Sequence, residues 1–490
     1  MRQGFSVLTL PMKTAPRSAL LLAAGLGAMV LGLAPAVADT LQDALALAYR
    51  TNPSLTGARA GLRALDEGVP QAKALGRPTL SVSAGIANAR NDQSFQDHNT
   101  NALTVTPQVN LPIFQGGLVG ASVKGAERRI EAGRANLRST EAQTFVDVVS
   151  AYLEVIRAQR VVDLNDNQVK VLGTNVQAAK DRFEVGDVTR TDVAQSEARL
   201  AGARSALVSA QGALTVAQEQ YRRIVGKFPD SLAEPAPLPM LPQSPDTAVD
   251  LALGDNPDLL AAKSDEQAAA ADVGAARARQ FPTLSAGVSG TYSDFMGTNN
   301  PPLGAFGINT DQRQLSGQAG LTVNVPLYQG GAVASRVRQA QATRSQAMER
   351  VVLTERAVVN QARAAYANLV AARAVKQSSE SAVSANRLAL EGVRAENSVG
   401  TRDVLDVLNA EQELLNSEVT LVTAQRDEYV AGFALLAAIG HAEARDLGLD
   451  GGSLYDPTAN YRRVRNRISD WSTGKTPQTQ ATRTAGPAVP

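Results

Sequence analysis

A chain of 490 residues with 48 Lys+Arg against 47 Asp+Glu and 4% aromatics has neither the basic surplus of a nucleic-acid partner nor the aromatic content of large globular cores. It has no cysteine, which excludes disulfides, thiolate chemistry and a lipid-modified N-terminal Cys. Its two histidines, His98 and His441, stand in dissimilar contexts; no metal, cofactor or catalytic residue is expected, and an enzyme is the weakest reading.

Lys13 and Arg17 precede an apolar run from Ala19 to Leu33 and then Ala36-Val37-Ala38. This pattern predicts a secretory signal peptide over 1–38, with maturation at Asp39; a retained anchor is the alternative. No later run is apolar enough to span a bilayer as a helix, so β-strands must place the mature chain in any membrane.

From Thr40 to Leu75 the pattern is helical, broken at Asn52-Pro53, and Pro78 stops it. Leu80, Val82, Ala84 and Ile86 then alternate with Thr79, Ser81, Ser83 and Gly85. After a polar loop, Asn88 to Asn101, Leu103, Val105, Val109 and Leu111 oppose Thr104, Thr106, Gln108 and Asn110. The spacing predicts a β-hairpin over about 78–112, ended by Pro112. Phe114 fits either an interfacial aromatic belt or packing at the strand-to-helix corner. From Leu118 to about Arg182 the chain reads as one helix of roughly 65 residues, near 100 Å. Gly186 supplies the turn of a helical hairpin (118–226), and the return helix runs from about Thr191 to Tyr221 before Gly226 ends it.

The unit then recurs. Across a Pro-rich linker, 227–247, Asn52-Pro-Ser-Leu55 matches Asn256-Pro-Asp-Leu259, and Arg77-Pro-Thr-Leu-Ser81 matches Phe281-Pro-Thr-Leu-Ser285. Tyr152 matches Tyr366, Asp192 matches Asp406 and Gly226 matches Gly440 at one constant offset, so the chain is two copies of one long unit, 39–226 and 248–440. The second copy holds a β-hairpin at about 282–326, in which Pro326 and Tyr328 parallel Pro112 and Phe114. It also holds a helical hairpin at 332–440 that turns at Gly400, with Asp403 placed to cap the new helix. The second helix of each hairpin and the short helices before its strands stack end to end as one composite column. The tail, 441–490, is Arg-rich and then Thr-, Pro- and Ala-rich, and is expected to be largely disordered; Arg462, Arg463, Arg465 and Arg467 fit a solvated run or an acidic partner.

Strands of about ten residues with one apolar and one polar face suit a transmembrane barrel. One chain supplies four, too few to close, and lipid does not tolerate an open edge. Three chains would give twelve. A soluble sandwich would instead need a second sheet to pack on.

The duplicated plan, the Asn-Pro-x-Leu openings, the Pro-Thr-Leu-Ser strand starts and Val399-Gly-Thr-Arg402 with Asp406-Val-Leu408 resemble the TolC family of outer-membrane export channels over about residues 40 to 445. The fold class is thus mainly α with a small membrane β part. The resemblance implies a homotrimer, with a twelve-stranded barrel in outer-membrane lipid and an α-helical tunnel across the periplasm. It also implies docking at the tips with a periplasmic membrane-fusion adaptor and an inner-membrane ABC, RND or MFS transporter. The missing Cys resembles the non-lipidated branch. By the same resemblance Thr191, Asp192 and Arg402 match a polar network that closes the tunnel tip between chains, and Asp406 matches an aspartate ring. Two positions depart from the family: Asn397 replaces the network tyrosine and Asn409 a second aspartate ring. Asp192 and Asp406 equally fit helix-start carboxylates favoured by the macrodipole. The implied function is an exit duct for proteins or small toxic compounds; a periplasmic coiled-coil adaptor without a channel is the alternative. The stretch Asp66 to Gln71 with Arg77-Pro-Thr-Leu80 is similar to members serving type I protein secretion.

Overall fold

The computed structural model describes residues 39–91, 98–238, 241–298, 311–449, 454–474 and 476–484. The expected signal peptide, 1–38, lies outside the described residues. In the first repeat, helices α1 (Leu41–Thr51), α2 (Pro53–Asp66) and α3 (Gly68–Ala74) lead into strands β1 (Thr79–Asn91) and β2 (His98–Gln115). The long helix α4 (Leu118–Glu184) and its return α5 (Arg190–Val225) follow. The second repeat runs α6 (Pro245–Asp255), α7 (Pro257–Ala278), β3 (Thr283–Asp294), β4 (Arg313–Asn324), α8 (Ala332–Ser398) and α9 (Val404–Ala438). Helices α4 and α8 have 67 residues each, about 100 Å at 1.5 Å per residue. Helix α6 begins at Pro245, inside the span expected as linker, because Ser244 accepts the Thr247 N–H and proline fits the first helical position.

Two asparagines join each composite column. The Asn52 Oδ1 accepts the Ser54 N–H and caps α2, while its Nδ2 donates to the Ile224 carbonyl at 3.0 Å, in the last turn of α5. Asn256 repeats this, with Oδ1 accepting from Asp258 and Leu259 and Nδ2 donating to Ala438 O of α9 at 3.0 Å. Each Asn-Pro thus butts the start of one helix against the end of another and satisfies polar groups from both ends. The main core surrounds these junctions at the middle of α4 and α8, where Phe145, Tyr152, Tyr221, Leu369 and Phe433 are fully buried. The Tyr152 hydroxyl donates to Ala233 O at 2.6 Å and lies 2.9 Å from Asp39 O, and Tyr366 donates to Gln243 O, so the matched tyrosines hold the two ends of the linker.

The strands form one antiparallel sheet in the order β1-β2-β3-β4. Its register gathers Leu80, Val109, Val288 and Ala319 into one row across one face, and Ser81, Gln108, Ser289 and Gln318 into one row across the other. The apolar face is open: Leu80, Ile86, Leu315 and Leu321 are all exposed. Two expectations need correction here. Strands β1 and β2 extend into the span expected as loop, pairing Asn88 with Asn101. Pro112 does not end β2, which runs on to Gln115 through a register shift between Pro112 and Phe114. The extra residue, Ile113, re-phases the strand so that Phe114 pairs with Leu284 on the apolar face. Phe114 is 52% and Tyr328 87% exposed in the single chain.

The tail also departs from expectation. Residues 454–467 dock on the first repeat through α10 (Ala459–Val464): Asn460 Nδ2 donates to Asp66 Oδ2 at 2.8 Å, and the Tyr455 N–H to Tyr49 Oη at 3.0 Å. The docking joins polar pairing to apolar contact: α10 buries Val464, and Leu454, Tyr455 and Tyr461 pack against the main core.

Candidate functional site

Both helical hairpins turn in the same way. In α4, the Gly186 N–H donates to Phe183 O at 3.0 Å and the Asp187 N–H to Arg182 O at 2.9 Å. In α8, Gly400 donates to Asn397 O and Thr401 to Glu396 O, both at 3.0 Å. This pair of bonds closes the last carbonyls of a helix and requires a left-handed residue, met by Gly186 at φ 79° and Gly400 at φ 81°.

The starts of the return helices differ. At α5, Thr189 and Asp192 form a reciprocal capping box: the Asp192 N–H donates to Thr189 Oγ1, and Asp192 Oδ2 accepts the Thr189 N–H and hydroxyl, both at 2.8 Å. The backbone and then the hydroxyl of Thr189 hold the Asp192 carboxyl below the usual carboxylate range. At α9, Asp403 occupies the N-cap position but its side chain makes no capping bond, contrary to expectation. The turn is held instead by Arg402, whose guanidinium lies 2.8 Å from Glu396 and 3.5 Å from Asp406, and by Asn397 Nδ2 donating to Arg402 O at 2.8 Å. Asp406 therefore has an intrachain cation as its neighbour.

Within one chain the structure does not bring Asp192 and Arg402 into an ion pair; each bonds within its own tip. Thr191 is exposed in the first turn of α5. Asn409 Oδ1 accepts from Arg199 Nη2 at 2.8 Å and so links α9 to α5. Behind the tips Leu172, Val176, Leu200 and Leu408 pack as a separate small core of α4, α5 and α9.

Sequence patterning missed the most buried charge of this region. Glu411 is 3% exposed; it accepts both oxygens' bonds from Asn175 Nδ2 at 3.1 Å and pairs with Arg394 at 2.9 Å, tying α4, α8 and α9 together. Its counterpart in the first repeat is the Lys180–Glu197 pair at 2.8 Å. The duplication offset carries Lys180 to Arg394 and Glu197 to Glu411, so aligning the repeats by charge would have found it.

The profile of the outer membrane efflux protein family matches residues 44–227 and 248–441, which follow the two repeats. The chain belongs to the outer membrane efflux protein family. It is 34% identical over 432 residues to outer membrane efflux protein BepC of Brucella suis biovar 1, covering 88% of this chain and 92% of that one. It is 27% identical over 414 residues to outer membrane protein TolC of Vibrio cholerae, covering 84% and 92%. Among solved structures, the outer membrane protein VceC of Vibrio cholerae shares the fold with a TM-score of 0.69 at 23% identity, covering 82% of this chain and 96% of that one. As a member of the efflux protein family, the chain is an outer-membrane export channel with a periplasmic helical tunnel; it is neither an enzyme nor a free adaptor. No helix among the described residues is long and apolar enough to cross a membrane.

Proposed function

We propose that three copies of this chain form a passive exit duct, closed at the tips of α4–α5 and α8–α9 until a periplasmic adaptor and an inner-membrane transporter dock there. The observation that carries the reading is a four-stranded sheet with an apolar face and, among the described residues, two unpaired edges, β1 and β4. In lipid each edge needs a partner, and β4 of one copy pairing with β1 of the next closes a barrel after three copies. Exposed Val208 and Val216 on α5, with Leu353 and Leu388 on α8, leave apolar side chains for the neighbouring copy. The Asp406 carboxylates of three copies would then gather at the mouth and favour cations. Transport energy comes from the partners, and cargo, whether protein or small toxic compound, is set by the transporter served. Mass measurement of the detergent-solubilised particle tests the assembly: three chains are expected, and a stable monomer removes the barrel. Comparing secreted proteins and drug sensitivity of a deletion strain assigns the cargo.

A further inference from the structure

The docked tail carries side chains that the channel reading does not use. Tail residues are held by the turn that leads into the membrane sheet: Lys73 Nζ donates to Arg465 O and Asn466 Oδ1, both at 3.0 Å, and Arg77 Nη1 donates to Arg467 O at 2.8 Å. Arg77 lies two residues before Thr79, the first of β1. The same turn is tied to the other strand end, because Gln115 Nε2 donates to Leu75 O at 2.8 Å. The stretch after Arg467 therefore starts at the level where strands leave the bilayer, the level of Phe114 and Phe281. There the chain bends, exposing Ile468 (75%) and Trp471 (96%). Trp471 is the chain's single tryptophan.

The charges around this bend have one sign in excess. Arg462 is paired with Asp456. Arg463 reaches Asn460, Arg465 lies over the Tyr461 ring and Arg467 reaches Ser472, so among the described residues these three, like Lys73 and Arg77, have no carboxylate partner in an ion pair. Asp470 is the only acid between Ile468 and Trp471. A tryptophan and an isoleucine turned outward beside unneutralised guanidiniums match the two layers of a phospholipid surface: an amphipathic indole at headgroup depth and cations at the phosphates. We propose that the Ile468–Trp471 bend is a phospholipid anchor that rests in the periplasmic leaflet of the outer membrane, with Arg463, Arg465 and Arg467 on the headgroup phosphates. The proposal rests on the sheet being the bilayer-spanning part. The bend would thereby add a peripheral contact with that leaflet.

The single tryptophan gives a direct test on the full-length channel. It is reconstituted in vesicles of phosphatidylethanolamine and phosphatidylglycerol and excited where tyrosine does not absorb. Trp471 emission is expected to lie to the blue of free indole in water and to be strongly quenched when the phospholipid carries bromine near the headgroup end of its acyl chain. Bromine near the chain terminus should quench less. The R463Q/R465Q/R467Q variant, whose backbone anchors to Lys73 and Arg77 are kept, should lose much of the quenching by brominated phosphatidylglycerol. Unquenched emission overturns the proposal in either form: water-like emission means a solvated bend, and blue-shifted emission means that protein, such as a second copy, covers Trp471. Equal quenching in the variant overturns the role of the arginines.

Discussion

Asn52 and Asn256 each do two jobs with one amide, and the jobs are separable by substitution. Serine keeps a capping oxygen but cannot reach the carbonyl across the junction, so Asn52→Ser should cost about 1 kcal/mol and Asn52→Ala about 2 kcal/mol. The same order is expected at Asn256. Because the two junctions share no partner, the double Ala variant should lose close to the sum; thermal unfolding followed by circular dichroism checks all five variants. Asp192 makes a pH prediction at the same scale. Its folded-state pKa is depressed by Thr189, so the capping box stabilises above the ordinary carboxylate value and is lost as pH falls through the depressed one. Amide protection in the first turn of α5 should drop in that acid window, and Thr189→Ala should remove this pH dependence. A residue reading foresaw Asn-Pro as a helix break, but the amide's second bond could not be read because Ile224 and Ala438 lie far along the chain. It likewise named Asp403 as a cap, whereas Arg402 and Asn397 hold that turn.

At the scale of elements the sequence was most legible where one period runs unbroken. The unbroken helical stretch from Leu118 to about Arg182 gave α4 and its recurrence in the second repeat gave α8, alternation gave four strands, and Gly186 and Gly400 gave the turns. The bulge at Ile113 was hidden because register depends on β3, a strand of the other repeat. The arginines of the tail read as a solvated run, yet its docking depends on Asn460 meeting Asp66, on Tyr455 and Tyr461 packing against the core and on backbone carbonyls meeting Lys73 and Arg77, none of which composition can show. Glu411 was obscured in another way, as one of several acids on α9 together with Asp406, Glu413 and Glu418. Its consequence is a test of how the elements are held. Glu411→Ala leaves the Asn175 amide without its acceptor and Arg394 without its partner, at a cost of about 1–3 kcal/mol. Glu411→Gln should cost less. Because the bond network lies between the core at mid-length and the tips, the loss should appear as local opening. Hydrogen exchange should rise in the tip halves of α4, α8 and α9 while the sheet stays protected; a uniform rise would place Glu411 in the global core instead.

For the whole molecule, the question is whether tip charges bias a closed channel. In the proposed trimer an Asp192–Arg402 pair would form across a chain boundary, but each residue already has partners in its own tip. The cross-chain pair would therefore partly exchange bonds rather than add them, and partly exposed pairs are worth only about 0–1 kcal/mol. Taking about 0.3 kcal/mol at each of three copies gives roughly 1 kcal/mol, or about fivefold in a closed–open equilibrium. Such a bias is small enough for a docking partner to overcome. Arg402→Ser should raise the conductance of the isolated channel in planar bilayers. Asp192→Asn is the cleaner partner substitution than Asp192→Ala, because asparagine removes the charge while keeping a side-chain oxygen for the Thr189 cap. It should raise conductance to a similar degree, and the Asp192→Asn/Arg402→Ser double variant should add little. Asp192→Ala should go further only if fraying of α5 itself opens the tip. Single variants that both conduct like the parent would leave Asp192 a helix cap, Arg402 a clasp on its own turn, and the closed state to apolar packing around Leu408.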